Sequence, residues 1–271
     1  MAKTTTSKKK TTNKKAVAKV DKTTLALADD YLDDAKKYAT QVDKDDVLIP
    51  RISILQKLSK ALDKTEANFI KGAEAGQFCD ASQNKLWDGE DGMIIVPVHY
   101  RKTHIEWEKR NFIADRGNDM EYVNSCTRNE KNQLITPDGN NLVPTAEYAV
   151  MIIQDGGFSP AMISFTGSQM KKSKKLMTMI TNFLVDSPRG KINPAMFYRS
   201  YKITTQPESN DQGSWFGFGI EVGEIVPQLD GGKDIYMAAR EFRKQMDSGE
   251  VKIQQHEGGG ESAEESDDDP M

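Results

Sequence analysis

Apolar and polar positions change period several times along this chain, and each change marks an element. The largely apolar run VLIPRISILQKLS at 47–59 predicts a strand or extended segment that Pro50 restricts to a sheet edge or a bend, because proline cannot donate to a sheet ladder. MIIVPVHY at 93–100 gives the clearest signal of a buried strand, and 103–107 continues it after a short break. Residues 111–141 are polar and rich in turn formers, so a long loop or hairpin excursion is expected there. The segments 146–153 and 161–166 read as a strand pair around the Asp155-Gly156-Gly157 turn.

The period then lengthens to 3.6. Over 168–184, Lys171, Lys172, Lys174 and Lys175 fall on one helical arc, with Met170, Leu176, Met177, Ile180, Phe183 and Leu184 on the other. A strand is expected at 196–205, with Tyr198 and Lys202 on one face and Phe197, Arg199 and Tyr201 on the other. A polar loop at 206–213 follows. Next, Phe216, Phe218, Ile220 and Val222 alternate with Trp215, Gly217, Gly219, Glu221 and Gly223. The glycine face leaves room for a ligand base to approach, or marks a strongly coiled barrel strand. A last helix at 233–246 turns Ile235, Ala238, Ala239, Phe242 and Met246 inward, and Thr24 opens an earlier acidic amphipathic helix near 23–40.

These elements predict a mostly β (α+β) protein: an oligonucleotide-binding-like (OB-like) Greek-key barrel with an inserted basic helix and a C-terminal helix, a twisted sandwich being the alternative. The expected organisation is a disordered basic arm at 1–22, an acidic helix and linker at 23–46, the β domain at 47–232, the C-terminal helix at 233–250 and a disordered acidic tail at 251–271.

Charge sharpens this picture. The whole chain has a formal net charge of −4, but 165–202 holds eight basic residues against the single acid Asp186. The first 22 residues carry eight lysines and one aspartate, and 257–271 carries seven acids and no base. A mildly acidic body with one strongly basic segment engages polyanions through one groove and not through its whole surface. Cys79 and Cys126 have no metal or redox spacing, which suits a reducing cytoplasm. No apolar run approaches a membrane span, and the basic N-terminus lacks the apolar block of a secretory signal.

Candidate chemistry follows from the basic segment. Single-stranded nucleic acid needs cations for its phosphates and ring faces for its unstacked bases. The candidate DNA-binding residues are therefore Lys171, Lys172, Lys174, Lys175, Arg189, Arg199 and Lys202, with Trp107, Tyr198, Tyr201 and Trp215 as stacking partners. A merely solvated lysine face is the competing reading of the helix. Catalytic signatures are missing: the sequence has no phosphate loop, nucleophile elbow, CxxC or HExxH. Glu106, Glu108 and Lys109 invite a metal-nuclease reading, but their spacing is not the Glu-x-Lys of such enzymes. No enzyme activity, cofactor or metal is expected.

The opening VLIPRISILQKLS, the FTGSQMKKSKK element at 165–175 and the tail ending DDDPM together resemble the single-stranded-DNA-binding proteins of tailed phages. That resemblance implies sequence-independent binding of single-stranded DNA in phage replication or recombination, inside the host cytoplasm. It also implies a tail, with Asp267, Asp268 and Asp269, that competes with DNA and recruits replication or recombination proteins. The chain departs from the resemblance in ending on Met271, where those proteins usually carry an aromatic residue, and in its basic arm. An oligomer is compatible with this reading. The alternatives are a phage structural or assembly protein, or a replication-associated nuclease.

Overall fold

The computed structural model describes residues 48–109, 111–154, 157–211 and 213–256. The chain divides into two units, Met1–Asp43 and Lys44–Met271. The basic arm, the acidic helix, the Asp155-Gly156 part of the expected turn and the acidic tail with Asp267, Asp268 and Asp269 lie outside the described residues.

The described part is mostly β. Its main strands are β1 (Arg51–Ile54), β2 (Phe78–Asp80), β3 (Lys85–Trp87), β4 (Met93–Glu108), β5 (Asn111–Asp115), β6 (Asn141–Gln154), β7 (Gly157–Thr166), β8 (Arg199–Asn210) and β9 (Gly213–Ile225). Its two long helices are α1 (Met170–Thr181), inserted between β7 and β8, and α2 (Gly232–Ser248). Eight strands form the main path of an eleven-stranded sheet in the order β9-β8-β4-β6-β7-β1-β2-β3, with β5 paired to β4 and the short strands Thr127–Arg128 and Leu134–Ile135 attached beside β6. Neighbours are antiparallel except β7 and β1, which run parallel.

This sheet curls into a half-barrel. Phe78 on β2 and Phe218 on β9 are far apart in strand order, yet their ring centroids are 6.0 Å apart. The inner face packs Ile95, Tyr148, Ile163, Phe165, Ile203 and Phe218 against Leu176 and Ile180 of α1. On the outer face, Val96, Ala149, Met151 and Met162 meet Ile235, Ala239 and Phe242 of α2. The centres of β4 and β6 are covered on both faces, which explains why they read as continuous apolar runs.

β4 runs to Glu108 straight through the expected break at 101–102, and its irregularity lies earlier, in a bulge between Pro97 and His99. The expected polar loop at 206–213 is mostly strand, continuing β8 to Asn210 and turning into β9. The excursion at 111–141 contains β5, a short helix Met120–Ser125 and a small hairpin, Thr127–Arg128 with Leu134–Ile135.

The body also extends further than the expected start of the tail at 251. Leu48–Ile49 pairs in parallel with Lys252–Ile253, and Arg51 Nε donates to Gln254 O at 2.6 Å. His256 Nε2 lies 3.0 Å from Glu147 Oε1 and stacks on Phe112 at 5.8 Å. Glu147 is fully buried, and Arg51 and Arg101 also hold it. Burial pushes this carboxyl up, but His256, Arg51 and Arg101 outweigh it and hold it well below the usual carboxylate range.

Candidate nucleic-acid interface

α1 forms because its apolar positions repeat at helical spacing, and it is fixed from within. Ser173, Leu176 and Ile180 are buried, and the Tyr148 hydroxyl donates to Ser173 O at 3.0 Å. Burial pushes that phenol up to about 12, so it stays a donor at any ordinary pH. The opposite face carries Lys171, Lys174 and Lys175, all exposed. At the C-terminal end, Asn193 Nδ2 donates to the carbonyls of Ile180, Thr181 and Phe183 at 3.1, 2.9 and 2.9 Å. That single amide satisfies orphan helix carbonyls and ties the following hairpin to the helix.

The hairpin pairs Val185–Ser187 with Gly190–Ile192 and carries Arg189 in its turn and Lys191 on its second strand, both exposed. Beside it lies an aromatic cluster. Arg199 sits over the Phe183 ring at 4.5 Å, and the Phe183 and Tyr198 centroids are 6.3 Å apart. Arg199 Nε also donates to Gly223 O at 3.1 Å, which fixes the guanidinium. Cations and ring edges therefore meet on one half-buried surface at the end of α1, a combination suited to phosphates and bases together.

The other end of α1 is different. Lys172 is paired with Glu208 at 3.1 Å, and Glu208 also accepts from Gln169 at 2.9 Å and from Trp215 Nε1 at 3.0 Å. Burial pushes the Glu208 carboxyl up, yet the hydrogen bonds from Gln169, Lys172 and Trp215 prevail and lower it. An acid thus stands inside the basic patch, and Lys172 is not a free cation. Lys202 lies directly across from Glu221 on β9.

Several expected site residues are placed elsewhere. Trp107 is 6% exposed and packs edge-on against Phe112 and His256, so it presents no face to a ligand. Tyr201 is 1% exposed and belongs to the inner core, because β8 begins at Arg199 and turns Tyr201 and Ile203 inward. The expected strand start at 196 is a 3-10 turn, Met196–Tyr198, which leaves Tyr198 half-buried beside the hairpin. Trp215 is half-buried and held by Glu208.

The glycine face of β9 is also occupied. A Cβ on Gly217 would lie 2.6 Å from Gln169 Nε2, and one on Gly219 would lie 2.7 Å from Gln206 Nε2. The chain's own polar side chains fill the room expected for a ligand base. Glu106, part of the nuclease reading, is fully buried and accepts from Arg116, Tyr122 and Asn140. Among the described residues, no three His, Cys, Asp or Glu side chains cluster as a metal site, and no helix is long and apolar enough to cross a membrane.

Sequence reasoning missed Phe183 as a site aromatic, Lys191 as a site cation and Glu208 as the acid among the lysines. The alternation of Glu208 with Gln206 before the β9 turn is the signal that would have placed it on a strand beside α1.

One protein family matches most of the chain: the model of the Pam3 phage gp34-like protein spans residues 15–252. No curated protein and no solved structure matches.

Proposed function

The chain belongs to the Pam3 phage gp34-like family, and from that phage setting we propose that it binds single-stranded DNA, without regard to sequence, during phage replication or recombination. One observation carries this reading. The exposed cations Lys171, Lys174 and Lys175 lie along α1, and Arg189 and Lys191 lie on the hairpin after it; between helix and hairpin, Phe183 begins the Phe183–Tyr198 cluster, where Arg199 stacks on Phe183 at 4.5 Å. Such a surface offers phosphates their counter-charges and bases a π-face without reading base edges. The curled sheet acts here as an oligonucleotide-binding barrel, and its role is to hold α1 and the hairpin in place. No catalytic step and no cofactor belong to this reading.

The seven acids of 257–271, including Asp267, Asp268 and Asp269, are proposed to compete for the same cations and to attract basic replication or recombination proteins. The test is a salt series of oligo(dT) titrations read by fluorescence anisotropy. Five phosphate contacts should give a log K against log[salt] slope of about −3.5. Absence of saturable binding at low salt overturns the proposal.

A further inference from the structure

The C-terminal helix carries a second row of cations that the reading above does not use. On α2, Lys233, Arg240 and Lys244 recur at helical spacing and are all exposed, opposite the buried Ile235, Ala239 and Phe242. The row extends about 16 Å along the helix axis. It is joined to the candidate interface by ring contacts. Tyr236, one turn before Arg240, meets Tyr198 at 6.4 Å and Phe197 at 5.1 Å. Tyr198 in turn meets Phe183 at 6.3 Å. Half-buried aromatics thus run without a gap from the end of α1 to the flank of α2, with cations beside them at both ends.

We infer that α2 continues the path of the bound single strand: its phosphates pass from the hairpin cations, over Tyr198 and Tyr236, to Lys233, Arg240 and Lys244. This rests on the single-strand-binding reading and deepens it by giving the strand a direction and a second anchoring segment. The acids on α2 are Asp234, Glu241 and Asp247, and they do not close this track. Asp234 falls about 100° around the helix from Lys233. Asp247 is engaged by Arg243 at 2.8 Å. Glu241 pairs with Lys244 at 3.1 Å, but both ends of that pair are well exposed, and a pair of that kind yields readily to a phosphate. A protein partner is the competing occupant, but an exposed face with three cations and only Met237 as a large apolar residue suits a polyanion better than a packed interface.

The experiment uses the full chain and two lengths of oligo(dT), about six nucleotides, which falls within the ~4–16 nucleotides of a single barrel site, and about thirty, which exceeds it. The triple variant Lys233→Ala, Arg240→Ala, Lys244→Ala should lose about two units of salt slope on the long oligonucleotide. Its binding of the short one should match wild type, which also reports that the variant is folded. A parallel variant, Lys171→Ala, Lys174→Ala, Arg189→Ala, should lose slope on both lengths. If the α2 variant keeps the wild-type slope on the long oligonucleotide while the parallel variant loses it, α2 is off the path and this inference fails alone. Equal losses by the α2 variant on both lengths also overturn it, because α2 is then part of the first contact and not a continuation. Failure of the wild-type protein to bind either length overturns the single-strand reading and this inference together.

Discussion

The Gln56 side chain and the Phe216 peptide hydrogen-bond in both directions: Gln56 Nε2 donates to Phe216 O at 2.9 Å, and Phe216 N donates to Gln56 Oε1 at 2.8 Å. A side-chain amide here copies a strand neighbour, linking the segment after β1 to the far edge strand β9. Gln169 supplies the accepting half of such a bridge one step along: its Oε1 accepts from Phe218 N at 2.9 Å, while its Nε2 donates to Glu208. Two glutamines therefore satisfy edge groups that a fully closed barrel would satisfy with another strand.

Gln56→Ala removes two hydrogen bonds and strands a half-buried peptide. The expected loss is about 1–3 kcal/mol, read from the urea midpoint. Gln56→Glu keeps the acceptor and loses the donor, so it should fall between alanine and wild type. If Gln56→Ala unfolds at the wild-type midpoint, the amide bridge does not hold the edge.

Glu208→Gln takes a carboxylate out of the basic patch while keeping an acceptor for Trp215 and Gln169. Oligo(dT) should bind this variant several-fold tighter at low salt, with the gain fading as salt rises. Lys172→Ala alone should change the salt slope less than Lys174→Ala, because Lys172 is already paired. Unchanged affinity for Glu208→Gln would place this corner of α1 off the strand path.

The aromatics separate into two classes by burial. Tyr198→Ala and Phe183→Ala should each cost about 1–3 kcal/mol of oligonucleotide affinity. Trp107→Phe should leave affinity unchanged and lower thermal stability, since Trp107 is packed inside. A loss of DNA affinity in a folded Trp107→Phe protein would contradict that division.

Acid should unfold the protein through its buried carboxylates. The folded-state pKa of Glu147 is depressed, so its contribution is complete above the ordinary carboxylate range and is lost as pH falls through and below that range. Glu106 and Glu208, also lowered, act in the same direction. Glu147→Gln leaves Arg51 and Arg101 without their shared anion and should cost about 3–5 kcal/mol at neutral pH. It should also flatten the fall of the denaturation midpoint between pH 5 and pH 3. A variant as acid-sensitive as wild type would show that the loss starts elsewhere.

The basic helix was legible because a 3.6 period with lysines on one arc survives any tertiary context, and β4 and β6 because strands covered on both faces leave long apolar runs. Trp107 was misassigned because its neighbours Glu106, Glu108 and Lys109 look like a polar surface. Glu106 is in fact buried, its charge met by Arg116, Tyr122 and Asn140 from the 111–141 excursion, and no local pattern encodes that encounter. Gln56 with Phe216, and Gln169 with Glu208, are likewise pairings between distant segments in which ordinary polar residues give no sign of their partners. The aromatic-basic run at 196–202 hid its own break. Alternation suggested one strand, whereas the turn at Met196–Tyr198 separates the half-buried Tyr198 from the buried Tyr201.

The parallel pairing of Leu48–Ile49 with Lys252–Ile253 has a mechanical consequence. Pulling on the segment before Leu48 and on the segment after His256 drives these two strands in opposite directions along their length. The bridge, together with the Arg51–Gln254 and His256–Glu147 contacts, is then loaded in shear, so its bonds resist together and do not unzip one by one. A molecule held at both ends under tension would bear that load at this clamp before the curled sheet feels it.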